Sequence, residues 1–304
     1  MKKLEETNAA AIAAEFLRAR RKAGSPAMGM VLTLVVVAPE DEAEEAMDVA
    51  RAAAHDHPAR ILGVVLGDGR GRAHIEAEVG TGAGHPGETA LIRLRGAVVK
   101  HAESVVLPLL LPDSPVVVWW WGDVGPDDPS SDPLGRLATR RITDLGTEAS
   151  PRSKAAQRRY AHYAPGDTDF AWTRLTLWRA TLAAVLDQHP AKVTAVRVSS
   201  ERGHPSAALL RAWLSHCLKL DVELVASEGP AVTEVMLETV QGPITISRPD
   251  GREASLATPG RPERPVSLRI RELPELLSEE LQHLDADEIY ELTIQKLLDL
   301  EGAS

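Results

Sequence analysis

Ser104 to Asp123 reads SVVLPLLLPDSPVVVWWWGD, and the remainder of the chain is most simply organised around it. A leucine block, Leu107 to Leu111, is followed by a Pro-Asp-Ser-Pro break at Pro112 to Pro115. The β-branched run Val116 to Val118 comes next, then Trp119, Trp120 and Trp121, half of the six tryptophans in the chain. An apolar run without alternation, bounded by turn signals, predicts a strand buried on both faces. Successive strand residues point to opposite faces, so three consecutive indoles put large rings on both sides of the sheet, each with an N–H that needs a partner when buried. Gly122 and Asp123 close the strand, which sets Asp123 at its carboxyl end, where open α/β sheets bind ligands. Two readings follow: a core strand with a bulky end, or an aromatic anchor for a partner surface, where tryptophan is over-represented.

Working outward, Val31 to Ala38 and Arg60 to Gly67 are β-branched strands separated by a helical stripe of Ala43, Ala46, Met47, Ala50, Ala53 and Ala54. That order predicts a parallel βαβ unit. Ala73 to Val79 and Thr89 to Leu94 alternate like shorter strands, Gly67 to Arg72 reads as a hairpin turn, and Ala97 to Leu107 reads as a helix. Past Tyr163-Ala164-Pro165-Gly166, a helix capped by Asp167 or Thr168 runs through Trp172 and Trp178 to Gln188. Lys192 to Ser199, a helix from Pro205 whose stripe includes Trp213 and Cys217, and Val222 to Ala226 predict a second βαβ-like unit. Short alternating strands follow around the Pro249-Asp250-Gly251 hairpin signal. Two helices end the chain, the last capped by Asp285. The predicted fold class is α/β: two mixed α/β domains, the second with an antiparallel β-meander and C-terminal helices. The expected boundaries are a helical arm over 1–27 and domains over 28–164 and 165–304.

The 304 residues carry a formal net charge of −10, which argues against general affinity for nucleic acid or an anionic membrane. A single cysteine, Cys217, and the absence of a leucine-rich leader predict a cytoplasmic protein. The loop Gly67-Asp68-Gly69-Arg70-Gly71-Arg72 lacks the G-x-G-x-x-G spacing of a dinucleotide cradle, and no phosphate-loop or nucleophile-elbow motif occurs, so no cofactor is expected. His55 and His57 form an H-x-H pair without a third ligand at a diagnostic spacing, so no metal is expected either.

Two constellations remain. Arg136 to Arg159 holds Arg136, Arg140, Arg141, Arg152, Lys154, Arg158 and Arg159 against Asp144 and Glu148, a positive band in an acidic chain. It reads either as a solvated helix face or as a site for phosphate or an acidic partner. The segment from Asp167 and Asp169 through Trp172, Arg174 and Trp178 reads as a capped amphipathic helix. If the band is exposed, reversing Arg140 and Arg141 to glutamate leaves the fold intact.

HAESVVLPLLLPDSPVVVWWWGD, DPLGRLATRRITD and YAPGDTDFAWTRLTLWRA, in this order and spacing, resemble the OpcA family of bacterial glucose-6-phosphate dehydrogenase assembly proteins. The tail HLDADEIYELTIQKLL resembles it too, and the similarity runs from about Met28 onward. The resemblance implies a non-catalytic partner that binds glucose-6-phosphate dehydrogenase, promotes its active oligomer and raises its activity. It implies no site position by position. Its strongest blocks make Trp119, Trp120, Trp121, Asp123, Arg136, Arg140, Arg141, Asp167, Asp169 and Arg174 the candidate partner-binding residues, with no catalytic residue. The alternative is a lactonase-like sugar-phosphate enzyme of the same pathway, using Asp123 at a strand end with arginines nearby.

Overall fold

The computed structural model describes residues 1–23, 29–55, 57–81, 87–146 and 152–302. The Gly24-Ser25-Pro26 break, most of the Gly80 to Gly87 loop and Glu148 lie outside the described residues, as do the side chains of Arg152 and Lys154. From the amino end come β1 (Lys2–Leu4), α1 (Ala9–Ala23), β2 (Leu32–Ala38), α2 (Ala43–Ala53), β3 (Ala59–Leu66), β4 (His74–Thr81), β5 (Gly87–Arg95), α3 (Ala102–Val106), β6 (Val116–Trp120) and β7 (Arg140–Thr143). Next are α4 (Arg152–Ala161), β8 (Asp167–Asp169), α5 (Phe170–Thr173), α6 (Thr176–Gln188), β9 (Val193–Ser200), α7 (Pro205–Leu218) and β10 (Val222–Ala226). The last are β11 (Val232–Thr239), β12 (Gly242–Ser247), β13 (Ala254–Ala257), β14 (Arg264–Val266), α8 (Leu273–Gln282) and α9 (Glu288–Gly302). Two compact units form: Met1–Asp144 with Ala164–Thr168 and Leu273–Ala286, and Leu145–Tyr163 with Asp169–Glu272 and Asp287–Ser304.

The first unit is built on an eight-stranded sheet in the order β1-β4-β5-β3-β2-β6-β7-β8. β5, β3, β2, β6 and β7 run parallel, β4 adds antiparallel to the β5 edge, and β1 pairs antiparallel with β4. All seven residues of β2 are buried, as an unalternated β-branched run between two parallel neighbours requires. On one face Ile12 and Phe16 of α1 pack with Val35, Leu62, Ile92, Val118 and Trp120. Arg20 of α1 and Arg60 of β3 share the buried carboxylate of Glu88, and the Arg60 guanidinium lies 4.9 Å from the Phe16 ring centre. On the other face Met47 of α2 sits so close to β3 that a Cβ on Gly63 would meet its sulfur at 2.7 Å.

Several sequence expectations change. Only the second half of Ser104 to Asp123 is strand. Ser104 to Val106 belongs to α3, and Leu107–Leu109 is a 3-10 turn that buries Leu109. Pro108 explains this, because it lacks a ladder N–H but suits the first turn of a helix. Gly67 to Arg72 is not a hairpin: β5 lies between β3 and β4, so the loop crosses the end of β5, where Gly67 N–H donates to Leu94 O and Gly96 N–H to Asp68 O. The segment after Pro133 supplies a single 3-10 turn, Gly135–Leu137, and then the strand β7.

The second unit holds a six-stranded sheet, β10-β9-β11-β12-β13-β14, with β9 and β10 parallel and the rest an antiparallel meander through the Pro249-Asp250-Gly251 turn. Its core draws Trp172, Trp178, Leu182 and Val185 from the predicted helical stripe. That helix is broken into α5 and α6, and its cap is Asp169, which accepts from Ala171 N–H, in place of Asp167 or Thr168. Likewise Asp287, not Asp285, caps α9 through the N–H groups of Ile289 and Tyr290. Cys217 is exposed, because α7 buries Leu210, Leu214 and Ser215 with Leu209 and turns Cys217 outward. Among the described residues no helix is long and apolar enough to cross a membrane.

The docking of α1 generates a direct test. Phe16→Ala is expected to lower unfolding free energy by about 3–5 kcal/mol in urea denaturation followed by circular dichroism.

Candidate functional site

In the first unit the strand order reverses at β2, with β3 on one side and β6 on the other. The carboxyl ends of two such strands frame the crevice where open α/β sheets bind ligands. The chain here brings acids to that place: β2 runs into Pro39, Glu40, Asp41 and Glu42 before α2 begins. A phosphate would meet carboxylates in the position where a dinucleotide fold presents glycines and backbone N–H groups. Trp121 extends the β6 ladder by donating its backbone N–H to Val37 O at 2.8 Å. Its indole N–H donates to the Glu42 carboxylate, so the ring spans from the end of β6 to the start of α2. Glu40 accepts from Arg93 Nε at 2.6 Å.

The pleat separates the three indoles. Trp119 and Trp121 share a face, ring centres 5.4 Å apart and inclined by 59°, and Trp120 joins the opposite core with Val116 and Val118. All three are buried, Trp121 being the most exposed at 7%. Gly135 closes over Trp120, since a Cβ there would stand 3.2 Å from the ring and 1.8 Å from Pro129 O.

Arg140, Arg141 and Arg159 of the arginine band are spent inside the fold, contrary to their reading as exposed charge, while Arg136 and Arg158 are exposed. Arg140 donates to the Glu280 carboxylate of α8 at 2.5 and 3.1 Å and to Asp285 O at 2.7 Å. Arg141 donates to the Asp167 carboxylate, to Pro165 O at 2.6 Å and to Ala138 O at 3.1 Å. Arg140 is 3% exposed and Arg141 8%. Burial pushes the Asp167 carboxyl above its ordinary value, while Arg141 and the Ala164 N–H pull it partly back. Gly166, at φ 94°, lets the Asp167 segment lie against β7, where a Cβ would stand 2.4 Å from Thr139 O. Arg159, in the second unit, lies 3.6 Å from buried Asp169.

Of the ten candidate residues, Asp123 and Arg136 are exposed and Arg174 is half-buried; Trp119, Trp120, Trp121, Arg140, Arg141, Asp167 and Asp169 are buried. Asp123 and Arg136 flank one loop of the first unit. Asp128 accepts from Ser130 Oγ and Ser131 N–H, and Asp132 from the N–H groups of Leu134 and Gly135. Arg136 donates to Ser131 O at 2.9 Å. These bonds give an exposed loop a defined shape. The sequence reading missed Glu42 and Glu280. Glu42 sits among other acids at a helix start, and Glu280 lies 140 residues from its arginine with no local signal.

Two family profiles match the chain. The glucose-6-phosphate dehydrogenase subunit N-terminal domain matches residues 50–160, and the corresponding C-terminal domain matches residues 165–294. No curated protein matches the sequence significantly. Among solved structures, the chain is similar to biliverdin reductase from Synechocystis sp. PCC 6803 in complex with biliverdin and NADP+, at 11% identity and TM-score 0.45 over 90% of this chain and 98% of the other. It is similar to an oxidoreductase from Sinorhizobium meliloti at 9% identity and TM-score 0.42, over 90% and 89% of the two chains. Levoglucosan dehydrogenase in complex with NADH and L-sorbose aligns at 8% identity and TM-score 0.46, over 90% and 97%. Likenesses this distant carry no argument about chemistry.

Because Arg140 and Arg141 are each held by a buried carboxylate, Arg140→Glu and Arg141→Glu are each expected to destabilise the protein by about 3–5 kcal/mol. Arg136→Glu should stay within about 0.5 kcal/mol. Thermal unfolding of the three variants side by side checks this.

Proposed function

The chain belongs to the OpcA family of glucose-6-phosphate dehydrogenase assembly proteins, and on that premise we propose that it is a non-catalytic partner that binds glucose-6-phosphate dehydrogenase, promotes its active oligomer and raises its activity. The observation that carries this reading is the pair of family matches over residues 50–160 and 165–294, both described by reference to that dehydrogenase. Side-chain chemistry supports it. The acidic turn after β2 and the Trp121–Glu42 bond occupy the crevice that a nucleotide would use, which is poorly suited to a phosphate-bearing substrate.

On this reading the dehydrogenase docks on the loop from Gly122 to Leu137, with Asp123 and Arg136 as its charged members. A loop already braced by Asp128 and Asp132 loses little conformational entropy when a partner docks. The tryptophans and the β7 arginines contribute by holding the scaffold under that loop. Asp123 and Arg136 differ in sign, so the matching dehydrogenase surface carries a basic and an acidic group at complementary positions.

Purified dehydrogenase mixed with this protein at micromolar concentration and low salt should change its sedimentation or its apparent substrate affinity. Asp123→Lys combined with Arg136→Glu should weaken the association by about tenfold or more, with the melting temperature of this chain unchanged. The reading fails if neither sedimentation nor affinity moves.

A further inference from the structure

The second unit contains a cavity of about 210 Å³ that the partner reading does not use. Four arginines line it, Arg174, Arg248, Arg269 and Arg271, and the acid on its wall is Glu201, which accepts from Ala231 N–H at 3.5 Å. Arg248 is the innermost of the four, 4% exposed. It follows β12 in the alternation Ile244, Ile246, Arg248, so an arginine stands where the strand pattern calls for an apolar core residue. Its Nη1 donates to Leu268 O and its Nη2 to Val232 O, each at 2.8 Å. Among the described residues its Nε–H has no acceptor.

Trp178 lines the same cavity, 1% exposed, with the Arg248 guanidinium 5.3 Å from its ring centre. Its indole N–H likewise has no acceptor among the described residues. Both side chains line the cavity, and two buried donors without acceptors among the described residues are a feature that folding alone does not favour, because each loses its bond to water and gains nothing. Burial without a paired carboxylate also pulls the Arg248 guanidinium down to about 10, with Asp250 acting the other way. The start of α7 adds to the field. His204 and Ser206 line the cavity, and the 14-residue helix turns its positive end to that side.

A ligand suited to this arginine-rich lining must accept hydrogen bonds, carry negative charge and be small. We infer that this cavity is a binding site for a phosphate-type oxyanion, either inorganic phosphate or the phosphate group of a small monoester, held by Arg248 with Arg269, Arg271 and Arg174 at the mouth. Guanidinium forks match the tetrahedral oxygens of phosphate in geometry as well as charge. The volume falls below the roughly 300 Å³ at which sites for larger organic ligands begin, which excludes a dinucleotide and suits phosphate with a short carbon body. The inference is independent of the dehydrogenase partnership.

The test is calorimetric titration of the full chain with inorganic phosphate and, separately, with glycerol 3-phosphate, against sodium chloride at matched ionic strength. Saturable binding of at least one phosphate probe is expected, with a rise in melting temperature that chloride does not reproduce. Tighter binding of the ester indicates that the carbon body occupies the cavity; tighter binding of inorganic phosphate indicates an ion site. Arg248→Lys and Arg269→Ser should each weaken binding by about tenfold or more. Arg269 is exposed, so Arg269→Ser is expected to fold and decides alone if Arg248→Lys does not. Heats no larger than those of chloride, or parental affinity in Arg269→Ser, overturn the inference.

Discussion

Arg140 and Arg141 are adjacent on a buried strand, so the pleat sends their guanidiniums to opposite faces of the sheet and each face has to supply a carboxylate. One comes from Asp167, on the chain returning after α4; the other is Glu280, carried on α8 near the carboxyl end of the chain. A guanidinium left without its acid inside a sheet costs several kcal/mol. The two segments that bring the acids are therefore drawn into the first unit, although the sequence between them builds the second. The composition of that unit, with residues 164–168 and 273–286 joined to the first 144, follows this pairing.

The same constraint reassigns the residues that look functional in one dimension. Tryptophans and arginines are the side chains most expected at a binding hot spot, yet here β6 and β7 use them to fill and tie the sheet. What they leave at the surface is the loop between the two strands. A shaped loop on a rigid scaffold is the usual place for recognition, and this one is shaped by its own aspartates. In the second unit the balance is reversed: Arg248 is as deeply buried as Arg140, but among the described residues no carboxylate is hydrogen-bonded to it, and the Trp178 N–H beside it has no acceptor there. Buried arginines with the same chemistry thus divide into structural and ligand-seeking ones according to what stands opposite.

Much of the fold was legible because it is encoded locally. β2, β3, β9 and β11 announce themselves by β-branched runs, the Pro249-Asp250-Gly251 turn by its φ preferences, and α6 by Trp172, Trp178, Leu182 and Val185 at helical spacing. The elements that were not legible are those whose sequence contradicts their environment. RRIT has two charges in four residues and still forms a buried strand, which becomes possible once partners 26 and 140 residues away are counted. The leucine block reads as strand because its apolarity outweighs Pro108, whose missing N–H points to a helical turn. Asp167, Asp169, Asp285 and Asp287 are all plausible caps by composition; which of them caps is set by geometry over two or three residues. The inward alternation of Ile244, Ile246 and Arg248 was the one local signal of the cavity, and it was present in the sequence.

Hydrogen exchange of this chain with and without glucose-6-phosphate dehydrogenase tests the central claim most directly, namely that the partner meets the loop after β6 while the indoles and arginines beneath it stay internal. The account predicts that amides over residues 122–137 become protected in the complex, and that those of Val116–Trp120 and Arg140–Thr143 exchange slowly and equally in both states. Unchanged exchange over 122–137, or release of the β6 and β7 amides on binding, would contradict it.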